Sequence, residues 1–470
     1  IKLITYKSSE DPWAVSKELE KMGYVAQPEF FYETSKAAQP PPVFPTDQFF
    51  NQQWSLHNTG QTGGTSDADI DAPEAWNIEK GRRVIIAVLD TGIDYTHPDL
   101  AQNIWINMNE IPNNGFDDDN NGYIDDTQGW DFVNNDNDPF YSTSPHGTEM
   151  AGVAAAITNN NLGVAGVCWR CKIMNLHMSP ITTSRVVNAL TYAMDNGAKI
   201  TSNSWGGGSY LPNYDLQIKN AFDLIYANGL LSFMAAGNDG AHVGTAPAAF
   251  NSVLGVTGTN ANDDWAFYNY GGWFQLASPA TDIWTTYPTA LVSGCPSCSG
   301  PYVLSSGTSP ATPLAAGIAA LIWSKKPSLT NVQVENIMRT AVDPLQLVIF
   351  PNAYLGEGRV NAYKALQYTT IPEAKLDWTM AEKTISAPTQ IIGTAQGAGT
   401  SQFSHYILEY GSGPYPLSWT PFGGGNSAVV NGVLGVLNPL GMPLGYYAIR
   451  VQTFDSNGIY AIDSTTVTIQ

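Results

Sequence analysis

Charged residues are scarce in this chain of 470 residues, and basic ones are the scarcest. Only 13% of the residues are charged, with 21 lysines and arginines against 41 aspartates and glutamates, so the formal net charge is -20. This balance argues against nucleic acids and anionic membranes as partners, because both would repel the protein. The hydrophobic fraction of 43% is that of a globular protein and not of a disordered one.

Long hydrophobic runs and cysteines are also few. No uninterrupted apolar stretch reaches about 18 residues, so the sequence predicts no membrane-spanning helix. Four cysteines form two CxxC pairs, Cys168/Cys171 and Cys295/Cys298. The pairs are far apart in sequence, without the short spacing of a zinc module, so disulfides are expected, with zinc or free thiols as alternatives. A bridge within either pair closes a tiny loop and is expected mainly to stiffen the surface.

The pattern of predicted elements divides the chain into four segments. Residues 1–38 are predicted to form a strand, a helix and a strand, and the proline-rich residues 39–48 a linker. Over residues 49–370, buried strands such as "VIIAVLD" alternate with helical segments, which predicts an α/β fold with a parallel sheet flanked by helices. Residues 371–470 carry short alternating runs typical of an all-β sandwich of the immunoglobulin or fibronectin kind.

Three segments of the α/β part carry side chains suited to nucleophilic catalysis. Asp90 ends a strand in "VLDTGIDYTHPDL", His146 begins a helix in "SPHGTEMAGV", and Ser309 is the predicted N-cap of another in "SSGTSPATPLAAG". Singly, each has a structural explanation, as a turn carboxylate, a surface histidine or a cap. Together they supply a nucleophile, a base and an orienting carboxylate. Pro310 is expected at the first helical position, where N–H groups lack partners.

Five blocks in a fixed order make the chain similar to the subtilases, the subtilisin-like serine proteases. They are "VLDTGIDYTHPDL", "HGTEMAGV", "SNSWGGG", "MAAGNDG" and "GTSPATPLAAG", and they cover most of residues 70–325. The resemblance implies a subtilisin-like fold and a secreted serine endopeptidase that cleaves polypeptide substrates through an acyl-enzyme. It implies Ser309 as the nucleophile, His146 as the general base and Asp90 as the orienting acid. It also implies that Asn238 and the Ser309 N–H stabilise the oxyanion.

The resemblance also implies a substrate-binding set and marks two departures from the family pattern. The expected substrate-binding residues are Ser204, Trp205, Gly206, Gly207, Ala235, Ala236 and Gly237. Glu149 stands where most subtilases have a second histidine, and Pro310 where methionine is common. Glu149 is expected near the same helix face as His146, where it would raise the histidine pKa or tune the substrate subsites. The intact "HGT" at His146 argues against a serine-carboxyl peptidase with a glutamate base.

The acidic loop "FDDDNNGYIDDTQGWDF" predicts a calcium site, because oxygen-bearing side chains alternate before a glycine as they do in EF-like loops. A solvated acidic turn is the alternative. The expected ligands are Asp117, Asp119, Asn121, the Tyr123 carbonyl, and Asp125 or Asp126. The family resemblance of "HPDL" and "TNNNLGV" implies a second calcium site. Its expected ligands are Asp99, the Asn160 side chain, and the carbonyls of Leu162 and Val164.

The flanking segments and the assembly complete the prediction. Residues 1–38 resemble the end of a subtilase propeptide and are expected to act on the catalytic domain in cis, with a simple N-terminal brace as the alternative. A monomer is expected, and nothing in the C-terminal sandwich specifies a ligand. Two other functions stay open: a processing protease or peptide ligase on the same fold, and a calcium-dependent binding protein on an inactive protease scaffold.

Overall fold

The computed structural model describes residues 41–140, 144–206, 209–210, 213–345, 355–381, 383–397, 403–413, 416 and 418–470. Residues 42–470 form one compact unit. The predicted propeptide-like segment, residues 1–38, lies outside the described residues, and so does Gly207 of the expected substrate-binding set. Among the helices that are described, none has the length and apolar character needed to cross a bilayer.

A parallel sheet organises the larger part of the described chain. In chain order, the strands of this part are β1 (Ile85–Asp90), β2 (Gly129–Asp131), β3 (Lys172–His177), β4 (Ile200–Asn203), β5 (Ser209–Tyr210), β6 (Leu231–Ala235), β7 (Thr245–Ala246), β8 (Val253–Thr259), β9 (Leu276–Pro279), β10 (Ile283–Thr286), β11 (Tyr302–Ser305), β12 (Val342–Asp343) and β13 (Arg359–Val360). As far as the structure describes it, the main sheet has nine strands in the order β12-β13-β9-β8-β6-β4-β1-β3-β2. Every neighbouring pair in it is parallel except β12 with β13.

Helices flank this sheet, and their boundaries follow from capping residues in the sequence. They are α1 (Ala72–Ile78), α2 (His146–Ala155), α3 (Thr183–Asp195), α4 (Leu216–Ala227), α5 (Thr308–Lys325), α6 (Asn331–Thr340) and α7 (Ala362–Gln367). Asp215 caps α4 by accepting hydrogen bonds from two first-turn N–H groups, and Thr330 forms a capping box with Gln333 at the start of α6. Helix α5 is apolar on all sides and almost entirely buried, so it forms the centre of the core.

The C-terminal strands build two further sheets. They are β14 (Glu373–Leu376), β15 (Lys383–Ile385), β16 (Thr389–Gln396), β17 (Phe403–Ser412), β18 (Thr420–Gly425), β19 (Val429–Leu437), β20 (Gly445–Asp455) and β21 (Tyr460–Ile469). The sheets run β14-β16-β19 and β15-β21-β20-β17-β18, antiparallel except where β15 meets β21. Both parts of the predicted fold class are therefore confirmed, the parallel sheet with flanking helices and the β-rich C-terminal part.

A largely buried group of charges joins α6 to the C-terminal strands. We call it the interface cluster; its members are Arg339, Lys375, Glu335, Glu357 and Asp463. Arg339 hydrogen bonds to Asp463 and, at 2.7 Å, to Glu357. Lys375 lies 2.8 Å from Glu335. The hydrophobic core continues across the same contact, so the C-terminal strands pack on the α/β part through both apolar and ionic groups.

The expected disulfides are confirmed within both CxxC pairs, Cys168–Cys171 and Cys295–Cys298. The expectation that each would stiffen a surface loop is wrong for the first pair, since both of its cysteines are 0% exposed. Its sulfurs pack against Gly81, where an added Cβ would lie 2.0 Å from the Cys168 Sγ. The first bridge is therefore part of the core, and the second closes an exposed turn.

Candidate active site

The end of β1 and the start of α2 bring Asp90 against His146. The His146 Nδ1 lies 2.7 Å from the Asp90 Oδ1, which also accepts a hydrogen bond of 2.7 Å from the Thr91 N–H. The Asp90 side chain is 3% exposed and the His146 side chain 34%. Because the buried carboxylate faces Nδ1, it favours a proton on that nitrogen and leaves Nε2 available to accept another.

The motif "HGT" explains why the first turn of α2 can approach β1 so closely. A Cβ on Gly147 would lie 2.3 Å from the Gly92 carbonyl oxygen, so only glycine fits there. The Gly147 N–H donates to the Thr91 Oγ1 at 3.0 Å, and the Thr148 Oγ1 accepts from the Asp94 N–H at 2.9 Å. The glycine therefore permits the contact, and its neighbours fix the distance between the histidine and the aspartate.

Nearby carboxylates change the proton affinity of His146. Burial alone would lower the pKa of the imidazole, but the charge and hydrogen bond of Asp90 and the charge of Glu149 raise it to about 9. Burial also raises the pKa of Glu149, whose Oε2 accepts a hydrogen bond of 2.8 Å from the Ser305 Oγ. Two acidic side chains therefore stabilise the protonated imidazole.

Ser309 is the second residue of α5 and not its N-cap, so the predicted cap is wrong by two positions. The N-cap is Gly307, with φ of 137°, and Thr308 is the first helical residue. Pro310 is consequently the third helical residue and not the first, and Pro313 lies inside the helix. The helix starts earlier because a glycine can adopt the positive φ that this start requires. The Ser309 N–H falls in the first turn, where N–H groups have no partner within the helix.

Pro313 connects Ser309 to the end of β4. A proline has no N–H, so the Ser309 carbonyl loses its usual helical donor four residues further on. That carbonyl accepts a hydrogen bond of 2.8 Å from the Ser204 Oγ instead. The Ser309 Oγ in turn lies 3.5 Å from the Ser204 carbonyl oxygen. Because of the proline, the Ser309 carbonyl is free to accept from the Ser204 hydroxyl. This hydrogen bond ties Ser309 to the expected substrate-binding segment.

The Asn238 side chain is oriented by Thr308, a residue that the sequence analysis did not single out. The Asn238 Oδ1 accepts hydrogen bonds from the Thr308 N–H at 2.9 Å and the Thr308 Oγ1 at 3.0 Å. The Thr308 Oγ1 accepts from the Gly237 N–H at 3.1 Å. Because its oxygen is engaged on one side, the Asn238 amide presents its Nδ2 donors beside Gly307, next to Ser309. The position of Thr308 directly before the serine was the available signal.

Asn269 is a second residue that sequence reasoning missed, and it holds the turn that carries Asn238. Its side chain is fully buried. The Asn269 Oδ1 accepts from the N–H groups of Asp239 and Ala241 at 3.0 and 3.1 Å, while its Nδ2 donates to the Ala236 carbonyl at 3.0 Å. No motif surrounds it, so only the structure reveals this support.

The expected substrate-binding residues that are described flank Ser309 at the ends of two neighbouring strands. Ser204 to Gly206 follow β4, and Ala236 and Gly237 follow β6, which ends at Ala235. Gly206 and Gly237 have φ of 123° and 103°, values that favour glycine because a Cβ is strained there. In a parallel sheet, consecutive carboxyl ends share one edge, which explains why these segments lie together.

The acidic loop brings together only part of its predicted ligand set. Asp119 and Asp126 meet Glu110, with one carboxylate oxygen of each within 4.8 Å of the others. Glu110 was missed because it lies before the loop. Its Oε1 accepts from the N–H groups of Asp118 and Asp119 at 2.9 and 3.2 Å, and its Oε2 from the Asp125 N–H at 3.1 Å.

Asp117 and Asp125 are not part of that group, whereas the Asn121 Nδ2 donates a hydrogen bond of 3.0 Å to the Asp126 Oδ2. The Asp125 carboxylate accepts from the N–H groups of Asn114 and Gly115 at 3.0 and 2.9 Å, so it closes a turn. Asp117 accepts from the Asn121 N–H at 3.0 Å. The Asn121 Oδ1 accepts from the Tyr123 N–H at 2.8 Å. These groups organise the backbone of the loop.

The second predicted calcium region gathers around Asp99. The Asp99 carboxylate accepts from the Asn160 Nδ2 at 2.7 Å and the Val164 N–H at 3.1 Å, and the Leu162 N–H donates to the Asn160 Oδ1 at 2.8 Å. Burial raises the pKa of Asp99 to about 7, and the charge of Asp47 adds to the effect. Asp47 was missed by sequence reasoning. Its Oδ1 is buried without a hydrogen-bond partner among the described residues.

Comparison with known proteins gives a consistent result for the α/β part. A model of the subtilase family matches residues 81–370. Thermitase of Thermoactinomyces vulgaris is 36% identical over 304 residues, which cover 64% of this chain and 94% of that protein. Subtilisin of Bacillus pumilus is 30% identical over 296 residues, 61% of this chain and 92% of that protein. A protease from Pseudoalteromonas arctica of known structure gives a TM-score of 0.52 at 26% identity, covering 69% of this chain and 98% of that one.

Proposed function

We propose, since this chain belongs to the subtilase family and is a subtilisin-like serine endopeptidase, that Ser309, His146 and Asp90 are its catalytic triad. The observation that carries this assignment is the contact of 2.7 Å between the His146 Nδ1 and the Asp90 Oδ1. A histidine oriented in this way by a buried carboxylate is suited to take a proton from a serine hydroxyl.

The proposed reaction has two acyl-transfer steps. The Ser309 Oγ attacks the peptide carbonyl carbon while the His146 Nε2 accepts the hydroxyl proton, which gives a tetrahedral oxyanion. The C–N bond then breaks, and the leaving amine takes that proton from His146. Water attacks the resulting acyl-enzyme with His146 again as the base, and Ser309 regains its proton as the carboxylic acid is released. Asp90 stabilises the imidazolium in both steps.

Two N–H donors are proposed to stabilise the oxyanion. They are the Asn238 Nδ2, which Thr308 orients, and the Ser309 backbone N–H in the first turn of α5. Loss of one such side-chain donor lowers kcat by about 100- to 1000-fold in enzymes of this mechanism. Polypeptide substrates are proposed to lie along two chain segments, Ser204–Gly207 and Ala235–Gly237.

Calcium binding is the second part of the proposal. Glu110, Asp119 and Asp126 supply oxygen ligands of the kind that calcium prefers. In the described part of the chain no lysine or arginine forms an ion pair with them, so a bound cation would relieve their mutual repulsion. Asp99, with the buried Asp47 nearby, is proposed to hold a second ion. Both ions would be structural, because neither set includes a triad residue.

The rest of the proposal concerns location and assembly. Disulfides are typical of proteins outside the cytosol, which supports secretion. Residues 1–38 are proposed to act as a propeptide-like segment and residues 39–48 as a linker. Residues 49–370 are then the catalytic domain, and residues 371–470 a β-sandwich. The enzyme is proposed to work as a monomer.

Labelling with a serine-directed phosphonate tests the triad. We expect the wild-type chain to be labelled in the presence of calcium, and Ser309→Ala to remain unlabelled. The control is Ser297→Ala, which removes an exposed serine between the cysteines of the surface bridge and should label like the wild type. Failure of the wild type to label, with residues 1–38 removed, would contradict the proposal. Label retained in Ser309→Ala would contradict it equally.

Thermal unfolding tests the calcium proposal. A ligand that binds only the folded state raises the midpoint of unfolding, so a chelator should lower Tm and added calcium should restore it. Glu110→Gln should reduce the response, whereas the matched control Asp377→Asn removes a partly exposed carboxylate that follows β14 in the C-terminal part and should respond like the wild type. A melting temperature that the chelator leaves unchanged would rule out a stabilising ion.

A further inference from the structure

Glu149 lies beside the reacting groups, close to the His146 imidazole. It follows His146 by one turn on α2, so the two side chains share a helix face. Its Oε2 accepts a hydrogen bond of 2.8 Å from the Ser305 Oγ. Ser305 ends β11, which leads directly into Gly307 and the start of α5. The carboxylate is therefore fixed against the segment that presents the nucleophile.

The charge of Glu149 is not balanced by a permanent cation. Within the described residues, no lysine or arginine pairs with it, and the ionisable groups that act on it are His146 and Asp90. Its side chain is partly exposed, so a group from outside can reach it. A half-buried carboxylate is costly unless a cation compensates it, and in the cleft that cation can come from the substrate.

The side of the cleft follows from which elements meet there. The Ser309 carbonyl and hydroxyl face Ser204 at the end of β4, in one of the two segments along which the substrate is proposed to lie. Glu149 instead lies on α2, the helix that presents His146, and contacts β11. His146 gives its proton to the leaving amine, so the α2 side receives the residues that follow the scissile bond.

We propose that Glu149, oriented by Ser305, is a specificity-determining residue that binds the basic side chain of a lysine or arginine in the first two substrate residues after the scissile bond. This inference rests on the proposed function, since it requires a peptide across the triad. Glu149 lies about one helical turn from His146, and one turn rises about 5.4 Å. The side chain of a lysine or arginine in a peptide bound at His146 is long enough to span that distance.

Pairs of internally quenched peptide substrates test the inference. The two peptides of a pair differ only in the residue after the scissile bond, which is arginine in one and citrulline in the other. Citrulline has the same shape as arginine and no charge. We expect wild-type kcat/KM to favour arginine by about five- to tenfold at low salt, and less at high salt, because the pair is partly exposed. Glu149→Gln should bring the arginine-to-citrulline ratio close to one. Asp195→Asn, which removes a distant exposed carboxylate, should keep the wild-type ratio.

A second variant keeps the test decisive if Glu149→Gln folds poorly. Ser305→Ala removes the hydroxyl that orients the carboxylate and should lower the ratio without abolishing it. Equal cleavage of both peptides by the wild type overturns the inference, and so does a preference that survives in Glu149→Gln. Failure of the wild type to cleave either peptide, together with failure of the phosphonate to label Ser309, would instead count against the proposed function.

Discussion

Carboxylates surround nitrogen bases in two regions of the molecule, the site around His146 and the interface cluster around Arg339. In the interface cluster, burial would raise the pKa of Asp463, but the charges of Lys375 and Arg339 hold it below its usual range. Permanent cations there keep the carboxylates ionised. Around His146 the basic group is an imidazole, whose charge depends on pH. Acidic residues thus hold the structure together where the cation is permanent, and raise the proton affinity of the imidazole where it is not.

Asp90→Asn tests the catalytic half of this comparison and should have the largest effect. The amide cannot stabilise the imidazolium or favour the proton on the His146 Nδ1, so kcat should fall by about 10,000-fold. The measurement is peptide hydrolysis under saturating substrate, alongside thermal unfolding to verify the fold. A loss below about tenfold would mean that this carboxylate does not serve the histidine.

Arg339→Met tests the structural half. Removal of the guanidinium leaves the buried Asp463 and the partly exposed Glu357 without their arginine, so the free energy of unfolding should fall by about 3–5 kcal/mol. Urea unfolding measures the loss, and activity per folded molecule should be retained. Lys364→Met is the control: this lysine pairs with Asp343 but its side chain is 47% exposed, and an exposed pair contributes only about 0–1 kcal/mol. Equal losses of unfolding free energy in Arg339→Met and Lys364→Met would show that the interface cluster contributes no more than an exposed ion pair.

The pH dependence of hydrolysis gives the smallest and most specific effect. His146 acts as a base only when it is neutral, so kcat/KM should rise with pH through its pKa of about 9. Because the charge of Glu149 favours the protonated imidazole, Glu149→Gln should move the midpoint to lower pH. Ser305→Ala keeps that charge and should move it less. An unchanged midpoint, or one at higher pH, would show that Glu149 does not act on the histidine.

The sequence predicts more of the fold than of the site. Strand ends and helix starts are local, so the parallel sheet and the positions of Asp90 and His146 at such boundaries follow from periodicity, while the roles of the two residues were implied by the family resemblance. The N-cap of α5 was not predicted correctly. Ser309, Thr308 and Gly307 are all acceptable helix starts, and only the positive φ of the glycine decides among them. Partners distant in sequence, such as Asn269 behind Asn238, leave no local pattern.

The acidic loop shows the same limit. Its spacing predicted Asp119 and either Asp125 or Asp126 as ligands, but a regular EF-like pattern assumes one loop conformation. Here the Asp125 carboxylate instead closes the turn at Asn114 and Gly115. Glu110 comes from outside the motif, where no spacing rule applies. The acidic character was therefore predictable, and the division of the carboxylates between the group around Glu110 and the turns was not.

The two disulfides differ in the stage of folding at which they can form. An oxidant or an exchanging thiol cannot reach the sulfurs of Cys168 and Cys171 once the core has closed, because both residues are fully buried. That bond must form while the chain is still open, in a compartment that already contains an oxidant. Cys295–Cys298 lies in an exposed turn and stays accessible to exchange afterwards. The inner bond therefore ties the maturation of the enzyme to the place where it folds.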